Sequence, residues 1–197
     1  MADARAEVQT GFETVTMPGN AGIATVTAAP SATRISLRMR EADVGDVARA
    51  LSIDLSSRIN TAATAGSLSS LRLGPDEWLL LADGDPSPVL HDLLSGRIEA
   101  KPYAAVDITD RLVGLEIAGP EVEDVLAAGC PLPLETQAFP VGRATRTLYA
   151  KAEIVLWRRA EQRFRIEVGR SFAPYLVGLL ATVIRDEAAI RQRTAAR

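Results

Sequence analysis

Few side chains in this sequence are of the types that do chemistry, and they are scattered. His91 is the only histidine and Cys130 the only cysteine. A Ser-His-Asp arrangement would have to use His91, and no G-x-S-x-G stretch is there to carry the nucleophile. His91 falls beside the apolar stripe of an expected helix, which suits a surface or boundary position. Cys130 follows an expected helix C-terminus, the wrong end of the dipole for an activated thiol, and a packed small residue is the simpler reading. In "VDITDR" (106–111), Asp107 and Asp110 flank a turn. Two such carboxylates can act as acid and base or hold a cation. More often Asp and Thr in a turn bond their own backbone. "GNAG" (19–22) is only a G-x-x-G fragment, and neither G-x-G-x-x-G nor G-x-x-x-x-G-K-[ST] occurs, so no nucleotide site is indicated. Soft ligands for a tetrahedral zinc site are missing, and the acidic residues form no spaced metal cluster.

One stretch stands apart. "RTLYAKAEIVLWR" (146–158), taken as a single strand, divides into two faces. Leu148, Ala150, Ala152, Ile154 and Leu156 make a core face. Thr147, Tyr149, Lys151, Glu153, Val155 and Trp157 make the other. Lys151 and Glu153 suit a solvated face or pair with the neighbouring strand, where Arg163, Arg165 and Glu167 point outward. Large aromatics beside a cation are enriched at protein interfaces. Tyr149, Lys151 and Trp157 are therefore expected at a subunit contact.

The elements that would position these residues follow from composition and period. The chain has 197 residues, 47% of them hydrophobic, enough for a compact core. A net charge of −3 argues against a nucleic-acid surface. No run approaches the roughly 20 apolar residues of a membrane helix, and the N-terminus lacks the pattern of a secretory signal. A cytoplasmic location is expected, with no membrane or nucleic-acid partner.

Residues 1–33 lack a clear period and read as an arm, flexible in part or ordered by partners. Strands are expected at 34–40, 67–73 and 77–82, with "LGPDEW" as the turn between the last two. A helix is expected at 43–51 with Asp43 as N-cap, and another at 86–95 with Asp85 as cap and Pro86 first. The order then recurs. Strands at 104–108 and 112–118 lead to Gly119 and Pro120, expected to open a helix over 120–128. The 146–158 strand, a strand at 163–169 and a final helix at 171–188 complete the chain. The fold class is α+β. Two similar strand-helix-strand-strand-helix halves, 34–102 and 103–188, each form an antiparallel sheet covered by helices. Residues 189–197 are expected as a C-terminal tail.

Several phrases carry a resemblance: "INT" (59–61), "LGPDEWLLLA" (73–82), "IAGPEVEDVLAAGCPLPL" (117–134), "AFPVGRATRTLYAKAEIVLWR" (138–158) and "SFAPYLVGLLATV" (171–183). In order and spacing they resemble the gamma subunit of heterotetrameric sarcosine oxidase, over roughly residues 34–188. That family is similar in turn to the folate-binding aminomethyltransferase of the glycine cleavage system. The resemblance implies a non-catalytic subunit assembling with alpha, beta and delta chains. The complex would demethylate sarcosine to glycine with flavin and oxygen, releasing hydrogen peroxide and passing the one-carbon unit to formaldehyde or to tetrahydrofolate. FAD, FMN, NAD and zinc would sit in the partner subunits, and no cofactor in this chain. Tetrahydrofolate would be a co-substrate of the complex. The resemblance leaves two other readings open. One is the equivalent subunit of a related N-methylglutamate dehydrogenase. The other is a stand-alone folate-binding protein, for which Asp107 is the one placed carboxylate.

Overall fold

The computed structural model describes residues 19–20, 22–55, 58–84, 88–98 and 102–195. In chain order the elements are β1 (Gly19–Asn20), β2 (Ala24–Ala28), β3 (Ala32–Met39), α1 (Val44–Leu51), β4 (Thr61–Ala65), β5 (Leu68–Arg72), β6 (Glu77–Asp83) and α2 (Pro88–Leu94). There follow β7 (Tyr103–Asp107), β8 (Leu112–Ala118), α3 (Val122–Ala127), β9 (Ala144–Tyr149), β10 (Ala152–Ala160), β11 (Arg163–Gly169) and α4 (Ala173–Ala195). Asp85 and Pro86, expected to open the second helix, lie outside the described residues, as do residues 1–18 of the arm.

The α+β architecture with two antiparallel sheets is as the alternating apolar pattern implies. One sheet has the order β4-β5-β6-β3-β7 and the other β1-β2-β8-β11-β10-β9. Ile35, Leu37, Trp78 and Leu80 turn one face of the first sheet toward α1 and α2, where they pack with Val47, Leu51, Leu90 and Leu93. Leu115, Ile154, Leu156, Phe164 and Ile166 do the same for the second sheet, against α3 and α4. The remaining faces meet each other. Leu71, Leu79 and Leu81 of the first sheet pack on Ala144, Val155 and Trp157 of the second. Among the described residues a single isolated bridge, Thr61 to Arg143, joins the edges of the two sheets.

The two sheets exchange strands relative to the chain order. β7 pairs with β3, in the first sheet. β2, from the stretch read as an arm, pairs with β8 in the second sheet, and Ile23, Ala24 and Val26 are buried there. Gly119 makes this crossing possible: a Cβ on it would lie 2.4 Å from the Ile23 carbonyl oxygen and 2.6 Å from the Ala24 Cα. The helix that Gly119 was expected to cap begins later, at Val122, with Glu121 in the N-cap position. At the other end α4 runs on through Ala195, so that 189–195, read as a tail, are helical. Alanine, arginine and glutamine favour the helix there, and Arg191 forms an ion pair with Glu121.

The stretch 146–158 is not one strand. It is a hairpin, β9 and β10, turning at Ala150 and Lys151. Ala150 takes the left-handed φ of 50° that the turn needs. A two-residue turn reverses the parity of the faces: Tyr149 pairs with Ala152, and Leu148 with Glu153. Tyr149 therefore points to the core and Leu148 away from it, the opposite of the single-strand expectation.

Candidate functional site

Tyr149, Lys151 and Trp157, expected together on a partner-contact face, are on three different surfaces. Tyr149 is fully buried, and its hydroxyl donates to the Val125 carbonyl at 2.8 Å. Its ring lies on the Gly129 backbone, where a Cβ would come within 2.8 Å of it. Burial, with Cys130 nearby adding to it, raises the phenol above its ordinary pKa. Trp157 is buried between the sheets, with the Arg159 guanidinium 5.0 Å from its ring. Lys151, in the turn, is exposed. Tyr149 and Trp157 thus hold this chain together and are closed to a partner. Tyr149→Phe removes one buried hydrogen bond and leaves the Val125 carbonyl without it. A loss of about 1 kcal/mol is expected with the fold retained, read from the urea midpoint of the purified chain.

The other singled-out residues stay apart. His91 is exposed on α2. Cys130 is buried, 3.9 Å from the Thr147 hydroxyl. Asp107 Oδ1 accepts the Thr109 N–H at 2.8 Å, a turn that closes on itself. Asp110 is exposed and faces Arg170, whose Nε donates to the Asp110 carbonyl at 2.8 Å. Among the described residues no three His, Cys, Asp or Glu side chains come together as metal ligands.

The structure instead gathers charges between the sheets. Glu167 on β11 accepts from Arg34 Nε on β3 at 2.6 Å and from Arg165 Nε at 2.7 Å. Arg165 also reaches Asp83 at 3.3 Å. All three of Arg34, Arg165 and Glu167 are buried. Burial alone would lower the pKa of Arg165; the carboxylates of Glu167 and Asp83 outweigh it and hold the guanidinium charged. Gly114 leaves the space, since a Cβ there would lie 2.9 Å from both Arg34 and Glu167. A carboxylate with two guanidinium donors already aimed at it is a structural acceptor and a poor general base.

Beyond this network the sheets part into a cleft of about 930 Å³. Its floor includes Leu79, Val155 and Glu167, and its rim Arg111, Leu148, Lys151 and Phe172. Arg146 on β9 crosses it to Glu77 at 2.6 Å, and Glu77 also pairs along its own sheet with Arg38 at 3.2 Å. Asp107, the carboxylate a folate site would require, is not part of the lining.

Sequence reasoning missed Arg34 and placed Arg165 and Glu167 on a solvated face. Alternation marks which residues share a face, and it does not say whether that face meets water or another sheet.

A family profile described as "Sarcosine oxidase, gamma subunit family" matches residues 40–186. Over 157 residues the chain is 32% identical to the sarcosine oxidase subunit gamma of Corynebacterium sp. (strain U-96), covering 78% of this chain and 76% of that one. The corresponding subunit of Arthrobacter sp is 31% identical over 138 residues, 68% of this chain and 67% of that one. A chain of the heterotetrameric sarcosine oxidase from Corynebacterium sp. U-96, solved with pyrrole 2-carboxylate, superposes with a TM-score of 0.77 at 29% identity, over 86% of this chain and 88% of that one. Glycine cleavage system aminomethyltransferase T from Bartonella henselae shares the fold at 15% identity and a TM-score of 0.60, over 81% of this chain and 45% of that one.

Proposed function

This chain belongs to the sarcosine oxidase gamma subunit family, and from that premise we propose that it is the non-catalytic gamma subunit of a heterotetrameric sarcosine oxidase. The observation that carries the reading is the match over most of both chains, 86% of this chain on 88% of a chain of that oxidase. The side chains agree with it. Arg34, Arg165 and Glu167 pair with one another between the sheets, and the acid–base candidates are spent on turns or exposed alone.

In this reading the chain assembles with alpha, beta and delta subunits. The complex oxidises sarcosine to glycine, with oxygen as acceptor and the one-carbon unit leaving as formaldehyde or on tetrahydrofolate. FAD, FMN, NAD and zinc belong to the partner subunits. The spent state of Asp107 gives no support to a folate site in this chain. Among the described residues no helix is long and apolar enough to cross a membrane; a cytoplasmic complex is the proposal.

Co-expression with the large flavoprotein chains of a heterotetrameric sarcosine oxidase tests this. The chain should co-purify in stoichiometric amount and the complex should oxidise sarcosine in preference to other N-methyl amines. Alone, it should carry no flavin absorbance and turn over no amine. Flavin or turnover in the isolated chain, or its absence from the purified oxidase, would sink the proposal.

A further inference from the structure

We infer that the cleft between the sheets seats a segment of another subunit that carries a carboxylate among apolar side chains. The inference rests on the subunit reading above and names where the contact is made. Two independent features of the rim lead to it.

The first is apolar. Leu148 is 48% exposed and Phe172 47%, and both line the cleft. Leu148 has this position because the Ala150–Lys151 turn sends it to the face opposite the helical core. Two large side chains held half in water at one concave mouth gain from a partner that covers them.

The second is charge. Three of the cations lining the cleft are matched: Arg38 and Arg146 by Glu77, and Arg170 by Asp110. Arg111 and Lys151 also line it, and among the described residues neither has a carboxylate within ion-pair distance. Among the described residues five cations line the cleft against four carboxylates, Glu77, Asp110, Glu153 and Glu167, Glu153 lying 3.7 Å from Arg146; the excess is small but positive, in a chain that carries −3. An acidic segment is drawn to the unmatched Arg111 and Lys151. A cleft of about 930 Å³ has room for several side chains of such a segment.

The test uses the assembled oxidase. A benzophenone amino acid at position 172, introduced in the co-expressed complex, should cross-link to a peptide of another subunit containing Asp or Glu beside apolar residues. Arg111→Glu with Lys151→Glu should weaken incorporation of the chain about tenfold or more and slow association most at low salt. Leu148→Ala with Phe172→Ala should weaken it by about tenfold or more. All four residues are exposed or at the rim, so the variant chains should melt as the wild type does. Wild-type incorporation of both double variants overturns the inference while leaving the subunit reading intact. So does a cross-link found only within this chain or to a second copy of it. A thermal shift by inorganic phosphate that Arg111→Glu abolishes, with incorporation unchanged, would assign the cleft to a small anion and overturn it too. Failure of the wild-type chain to co-purify at all would remove both.

Discussion

Replacing Arg158 with alanine should cost roughly 3–5 kcal/mol, a large part of a typical domain's stability. Arg158 is fully buried on β10, and its guanidinium gathers the loop that joins α3 to β9. One terminal nitrogen donates to the carbonyls of Leu134 at 2.9 Å and Phe139 at 3.1 Å. The other donates to the Thr136 hydroxyl at 3.1 Å, and to Glu123 and the Glu161 carbonyl. The charge sits 4.9 Å from the centre of the Phe164 ring. Alanine would strand several buried acceptors at once, each worth about 1–3 kcal/mol when left unpaired. Lysine would recover little, because an ammonium cannot fork toward carbonyls on two sides. Urea unfolding gives the loss, and limited proteolysis should show cleavage within 130–142. A midpoint within error of the wild type would refute this account of the loop.

Glu167→Ala comes next in size, again about 3–5 kcal/mol, by a different mechanism. Arg34 and Arg165 would remain between the sheets with their shared carboxylate gone. Glu167→Gln should lose less, since one acceptor oxygen persists. The distinguishing variant replaces the whole triad: Arg34→Met, Arg165→Leu and Glu167→Leu together should recover most of the loss, because apolar packing of similar volume often matches a buried ion network. Denaturant midpoints of the four proteins decide it. If Glu167→Ala stays within about 0.5 kcal/mol of the wild type, the network contributes nothing to stability.

These two arginine clusters also mark where the sequence stopped being legible. The strongly apolar strands, β3, β6, β8 and β11, and the core faces of α1 and α4 could be read from period alone. β2 ("ATVTA") and β4 ("TAATA") could not. Alanine and threonine alternate there with too little contrast to mark a face. The β9–β10 turn was hidden for a chemical reason. Ala-Lys carries none of the Asn-Gly or Asp-Gly signal of a tight hairpin, and the alternation of small and large residues runs through it unbroken. That one turn reversed the assignment of Leu148 and Tyr149 and scattered the expected contact face. Arg165 and Glu167 look solvated on a single strand, and only the opposing sheet, with Arg34 and Asp83, shows them to be interior.

The exchange of strands between the sheets has a consequence for synthesis. β2 hydrogen-bonds to β8, with Thr25 opposite Ala118, so its partner emerges from the ribosome 93 residues later. The first sheet in turn waits for β7 before Ile35 and Leu37 gain their second neighbour. The first sheet, whose strands span 32–107, can close once β7 has emerged, whereas β1 and β2 wait for β8. High contact order of this kind slows folding and leaves strand edges open meanwhile. The β8-facing edge of β2 stays open until β8 is made, so Ile23 and Val26 are left uncovered in the growing chain until then.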